Sequence, residues 1–173
     1  MYCNVNKITF IYCTNNDYLF NESVRYIHSL EVPEGIDINI ISVSDAKSMC
    51  EGYNRAMKQS DAKYKVYLHQ DTFIINKNLI ADIINIFTKY PRLGIIGVVG
   101  AKKMPSSGVW WRAEQSFGEV YDSSDSGRIR HIKKREIVHD FESVEGLDGL
   151  ILMTQYDLPW REDIFTGWHM YDV

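Results

Sequence analysis

Cysteine is scarce and unpatterned. Cys3, Cys13 and Cys50 are an odd number with no CxxC spacing, which excludes a disulfide framework and a zinc knuckle and points to a reducing compartment, the cytoplasm. Long apolar runs are missing too: the longest, Leu93 to Ala101, is far too short to span a bilayer. The N-terminus has no charged segment followed by an apolar one, so no signal peptide is expected. Basic charge is not in excess. The net charge of -4 leaves no electrostatic footprint for nucleic acid, and the one local cluster, Arg128, Arg130, Lys133, Lys134 and Arg135, reads as a solvated hairpin and loop. There is no glycine-rich phosphate loop of the P-loop or dinucleotide type, which counts against kinases and dehydrogenases. The absence of a G-x-S-x-G elbow counts against an α/β-hydrolase.

What is present is a chain of 173 residues, enough for one domain with a real core and no staples. KITFIYC, Lys7 to Cys13, is a continuous apolar, β-branched and aromatic run, the pattern of a strand buried on both faces. Thr14, Asn15, Asn16 and Asp17 break it and supply helix caps, and Leu19, Phe20, Val24, Ile27 and Leu30 follow at helical spacing. IDINIISV, Ile36 to Val43, predicts a second strand. Ser48 and Glu51 form a capping-box pair that starts a helix running to Gln59. KVYL, Lys65 to Leu68, is a third strand ending in His69, Gln70 and Asp71. Leu79, Ile80, Ile83, Ile84 and Phe87 mark a third helix, and GIIGVV, Gly94 to Val99, predicts a fourth buried strand. Strands alternating with helices to residue 100 imply βαβ units and a parallel sheet. Beyond it come a long connection, Lys102 to Phe117, a hairpin over Glu119 to Lys133 turning at 123–127, and strands at Ile137–Ser143 and Leu147–Thr154. The chain is expected to be a single α/β domain, with halves 1–100 and 101–173.

In an open α/β sheet, ligands bind beyond the carboxyl ends of the strands. Four such ends are expected on one rim: Thr14, Asn15 and Asn16; Ser44 and Asp45; His69, Gln70 and Asp71; and Gly100, Ala101 and Lys102. Only the third sets a carboxylate straight after an apolar strand. A carboxylate there has a use. A nucleotide diphosphate carries several negative charges and gains another as it leaves, and Mg²⁺ or Mn²⁺ offsets them with one or two protein oxygens, the phosphates supplying the rest. Asp71 fits that role, and the His69 imidazole would suit Mn²⁺ better than Mg²⁺. The bland alternative is that Asp71 caps a turn and His69 is a hydrogen-bonded strand-end residue.

The succession Lys7–Asn16, Asn54, His69–Asp71 and Glu145–Asp172 resembles bacterial family-2-like glycosyltransferases, in a branch whose DxD element reads HQD. KVYLHQD is similar to the family's strand that ends in its metal-binding DxD motif. EGYNRAM, Glu51 to Met57, looks like the helix carrying an asparagine near the donor, and EGLDGLILM, Glu145 to Met153, like the strand before the acceptor region. FTGWHMYDV, Phe165 to Val173, resembles the family's motif ending in a carboxylate pair, here Tyr171–Asp172. The resemblance implies a GT-A fold with a mostly parallel central sheet flanked by helices and a small antiparallel addition in the C-terminal half. It implies a UDP- or GDP-linked sugar donor, a glycan or lipid-linked acceptor and a divalent cation. Peripheral membrane association and oligomeric state stay open. It carries Asp71 over as the metal or diphosphate residue, Asp45 as a nucleoside contact and Asp172 as the general base. Family members usually continue with a helix and a tail, so a short or truncated form is expected.

Other residues are weighed beside it. Thr14, Asn15, Asn16, Asp45, Asn54, His69 and Gln70 make up the expected donor-binding set. Trp110 and Trp111 lie in the long connection, where aromatic faces could stack on a sugar or simply pin the loop. Trp168 is a candidate acceptor contact or a core residue. Asp148, between Gly146 and Gly149, is either a hydroxyl partner or part of a turn. His169 is a candidate second metal ligand. The runner-up reading is a nucleotide-sugar-binding module of the same fold without turnover, motivated by His69, Tyr171 and the early stop.

Overall fold

The computed structural model describes residues 3–123 and 127–172. Its contacts divide the chain into two compact units, Met1–Ile96 with Gly149–Tyr171, and Gly97–Asp148 with Asp172–Val173. Residues 149–171 thus return to the first unit after the chain has passed through the second.

The first unit is built on a five-stranded sheet. The strands are β1 (Asn4–Cys13), β2 (Asp37–Val43), β3 (Ala62–His69), β4 (Ile95–Gly97) and, from the C-terminal part, β9 (Ile151–Thr154), in the order β2-β1-β3-β9-β4. β1 pairs in parallel with both β2 and β3, while β9 runs antiparallel to β3. The apolar runs behave as their composition demands. Ile8, Phe10, Ile11 and Tyr12 of β1 and Val66, Tyr67 and Leu68 of β3 are buried, each contributing on the order of 2 kcal/mol of transfer free energy. Three helices complete the unit: α1 (Asp17–His28), α2 (Met49–Gln59) and α3 (Leu79–Lys89). Asn16 caps α1 through its side-chain oxygen, which accepts from the Tyr18 and Leu19 N–H groups. Ser48 caps α2 by accepting from Glu51 N–H, and Glu51 reaches back to the Lys47 N–H at 3.1 Å, the reciprocal arrangement that the sequence predicts displaced by one residue.

Lys65 is the anomaly of the central strand. Its side chain is almost wholly buried, and its ammonium donates to the Ala62 carbonyl at 2.6 Å and to Asp157 Oδ1 at 2.5 Å. Asp157 lies three residues beyond the end of β9.

The second unit contains β5 (Val99–Ala101), β6 (Ser116–Ser123), β7 (Ile129–Lys133) and β8 (Gly146–Leu147), in the order β7-β6-β5-β8, with every pairing antiparallel. Its small core joins Val99, Ala101 and Trp110. Gly118 of β6 has φ of 91°, and a Cβ there would sit 1.9 Å from the Val98 carbonyl oxygen, so only glycine permits this pairing.

Three expectations are corrected. GIIGVV is two strands, β4 and β5, in different sheets, because the chain leaves the first sheet at Val98; β4 itself is partly exposed, not buried. Leu147–Thr154 is likewise split, by the turn at Asp148–Leu150, into β8 and β9. Residues 137–143 form no strand, since their mixed polar and apolar side chains are exposed or half-buried without a partner strand. The expected hairpin over 119–133 is present as β6 and β7, with part of its turn, residues 124–126, outside the described residues.

Candidate functional site

The carboxyl ends of β1, β2 and β3 are stitched together by their own polar groups. Thr14, just past β1, donates its N–H to the Val43 carbonyl at the end of β2, at 2.9 Å. Gln70, just past β3, accepts from the Asn15 and Asn16 N–H groups at 2.9 and 3.0 Å and returns its amide N–H to Asn15 Oδ1 at 2.6 Å. Behind this rim Ser23 of α1 joins the Tyr12 hydroxyl, at 2.8 Å, to the Thr72 carbonyl, at 2.5 Å. The expected fourth group, Gly100 to Lys102, is not a strand end of this sheet, because β5 belongs to the other one.

Asp71 occupies the turn after β3. Its side chain is exposed, and it makes no hydrogen bond or ion pair among the described residues. The carboxylate therefore neither lies in the core nor caps a turn. Asp45, after β2, is exposed and ion-paired with Arg55 of α2, which also approaches Glu51 at 3.6 Å. Among the described residues no three His, Cys, Asp or Glu side chains cluster so as to hold a metal by themselves. A divalent cation at Asp71 would have to draw its other oxygens from a diphosphate and water, which is how Mg²⁺ is commonly held at phosphate sites. The residues present fit that one-carboxylate mode and not a protein cage.

The C-terminal segment 160–171 folds onto this part of the first unit. The Met49 N–H, at the start of α2, donates to the Gly167 carbonyl at 3.1 Å. Asn54 of α2, buried, donates from Nδ2 to the Trp160 carbonyl at 2.9 Å and accepts the Trp160 N–H at 2.8 Å. Both ends of its amide are thus used by backbone, so Asn54 braces the segment. Tyr171 is buried among Tyr53 and Trp160, whose rings lie 5.8 Å away in edge-on contact. Tyr53 also meets Tyr67 of β3 at 5.0 Å. Burial pushes the pKa of Tyr53 and of Tyr67 well above the ordinary phenol value, so both stay neutral phenols. The Tyr171 hydroxyl lies 2.7 Å from His69 Nε2 and donates to the Gly149 carbonyl at 3.0 Å. Sequence reasoning treats Tyr171 only as a lost carboxylate. Its packing role carries no local signal, since its partners lie up to 118 positions away in Tyr53 and 102 in His69.

The remaining candidates fall elsewhere. Trp168 and His169 are exposed, and His169 joins no metal-ligating group among the described residues. In the second unit, Trp110 is buried and its indole donates to Asp148 Oδ2 at 2.6 Å, which pins the loop to the turn after β8. Trp111 is more than half exposed and stands edge-on to Trp110 at 5.9 Å, leaving a free aromatic face. Asp172 is half-buried and groups with the second unit.

A parallel β2-β1-β3 core with an antiparallel β9, helices α1 to α3, and polar strand ends at one rim make an α/β fold of the GT-A type. The chain belongs to the glycosyltransferase like family, which it matches over residues 9–173. Among solved structures it is similar to the crystal structure of S. aureus TarS 1-349, at 14% identity and a TM-score of 0.41, over 60% of this chain. The chain spans 38% of the length of that protein chain. No curated protein matches it. No helix among the described residues is long and apolar enough to cross a membrane.

Proposed function

We propose that the chain moves a sugar from a UDP- or GDP-linked donor to a glycan or lipid-linked acceptor with the help of a divalent cation. The observation that carries this reading is the unpaired, exposed carboxylate of Asp71 at the end of β3, beside a rim braced by Gln70. Mn²⁺ or Mg²⁺, when bound, supplies positive charge for the departing diphosphate. Asp71 is the residue that would hold it, with His169 a second candidate ligand. Thr14, Asn15, Asn16 and Gln70 form the polar rim offered to the donor, with His69 and Asp45 as further contacts. Asp172 is the candidate base, which would take the acceptor hydroxyl proton from within hydrogen-bond reach. Trp111 and Trp168, both exposed, are the aromatic faces available to an acceptor, while Trp110 and Asp148 hold each other in place. The reducing compartment suggested by the cysteines agrees with a cytoplasmic site of action, with peripheral membrane association left to the acceptor.

Melting curves with UDP or GDP and Mn²⁺ test the reading. A stabilisation that needs both nucleotide and cation, and is lost in Asp71→Ala, is expected; no shift with either nucleotide overturns it. A second reading, a donor-binding module without turnover, is favoured by one observation: the first position of the terminal pair is Tyr171, buried among aromatic rings rather than offering a carboxylate. Donor hydrolysis that depends on Asp172 excludes that second reading.

A further inference from the structure

We propose that Tyr171 is a positioning residue that sets the tautomer of His69, keeping the ring proton on Nε2 and leaving Nδ1 as a lone pair at the end of β3. A carbonyl oxygen can only accept, and a phenol has one proton. The Tyr171 hydroxyl commits that proton to the Gly149 carbonyl at 3.0 Å. Its 2.7 Å contact with His69 Nε2 therefore has Nε2–H as the donor. The arrangement is held from several sides. Tyr171 is only 6% exposed and wedged edge-on against Tyr53 and Trp160, so its hydroxyl has little freedom to turn away. The His69 backbone N–H donates to the Leu150 carbonyl at 3.2 Å, so one turn, 149–150, anchors both the strand end and the hydroxyl that reads its ring. His69 Nδ1 makes no hydrogen bond among the described residues, and the side chain is half-buried rather than sealed in.

The inference rests on the proposed donor site, and it names the chemistry His69 brings there. An Nδ1 lone pair accepts a hydrogen bond, so it selects a ligand that offers a hydroxyl, as the ribose or sugar of a nucleotide-sugar does. The opposite tautomer would present an N–H in its place. Tyr171 thereby acts on the ligand only through the ring of His69, the first position of His69-Gln70-Asp71.

The test uses the full chain, uniformly ¹⁵N-labelled and free of nucleotide and metal. Long-range ¹H–¹⁵N correlation spectra are recorded at about pH 8, above the ordinary histidine range. His69 is assigned by the signal missing from His69→Gln. Wild type is expected to show a protonated Nε2, with its proton slow to exchange, and an unprotonated Nδ1. In Tyr171→Phe the slow proton is expected to vanish and the ring to move toward a mixture of tautomers, with UDP or GDP affinity in Mn²⁺ weakened about tenfold, the lower end of what orienting hydrogen bonds contribute at such sites. A protonated Nδ1 in wild type overturns the proposal, and so does a Tyr171→Phe spectrum that superimposes on wild type. Should Tyr171→Phe not fold, the wild-type spectrum decides alone. Wild-type chain that binds no nucleotide, but has the expected tautomer, sinks the donor-site reading and leaves the Tyr171–His69 assignment standing.

Discussion

Gln70 and Asn15 exchange hydrogen bonds in both directions: the Gln70 oxygen takes the Asn15 N–H at 2.9 Å, and the Gln70 amide gives one back to Asn15 Oδ1 at 2.6 Å. The same Gln70 oxygen holds the Asn16 N–H, so one side chain fixes the loop that caps α1. Gln70→Ala frees two backbone donors at a partly exposed site. A loss of about 1–2 kcal/mol is expected, read as a fall in melting temperature of roughly 2–8 °C for a chain of this size. Gln70→Glu keeps the acceptor and loses the donor, so it should fall between the two. An unchanged melting temperature in Gln70→Ala would show that the rim does not depend on this brace.

Asn54, expected among the donor contacts, hydrogen-bonds the chain itself at Trp160. Asn54→Ala leaves the Trp160 N–H and carbonyl without their partner in a buried setting, at a cost of about 1–3 kcal/mol. Urea melts check the cost. Titration of the folded variant with UDP or GDP in Mn²⁺ checks the role, and an affinity equal to wild type is expected from a brace. A tenfold loss of affinity with stability unchanged would return Asn54 to the donor contacts.

Cys13 gives a pH dependence with a definite sign. Burial, then the nearby Glu51 charge, pushes its thiol up to about 12 from an ordinary 9, with Arg55 pulling back weakly. Above the ordinary thiol value the unfolded chain sheds this proton while the folded chain keeps it. Its contribution to stability is therefore whole at neutral pH and is lost as pH climbs from about 9 toward 12. Urea melts between those limits should show the gap between wild type and Cys13→Ala narrowing as pH rises. At neutral pH a thiol reagent should modify exposed Cys3 quickly, with Cys13 and Cys50 reacting only on unfolding. Rapid labelling of Cys13 in the native chain would contradict its burial.

The legible parts of this fold are those with local patterns. The β1 and β3 runs are apolar for long enough that only a doubly covered strand accommodates them, and the Asn16 and Ser48 caps sit where their side chains can reach the next turn. Where the chain changes sheets the pattern is silent: Gly94 to Val99 is uniformly apolar on both sides of the break at Val98, so nothing in composition marks the crossing. The end of β3 is legible as an acidic strand tip, and Asp71 is exposed there as that position requires. The roles of Tyr171 and Asn54 are not, because hydrogen bonds spanning 102 and 106 positions leave no periodicity to read.

The buried ammonium of Lys65 has a consequence for how the central sheet assembles. A two-residue slip of β9 along β3 would keep the same side chains toward the interior, so apolar matching alone scarcely opposes it. It would, however, carry Asp157 about 7 Å along the strand and strand a cation in the interior without its counterion. One ion pair beyond the last residue of β9 is thus expected to act as a proofreader of alignment, rejecting an otherwise acceptable mispairing that hydrophobic contacts would tolerate.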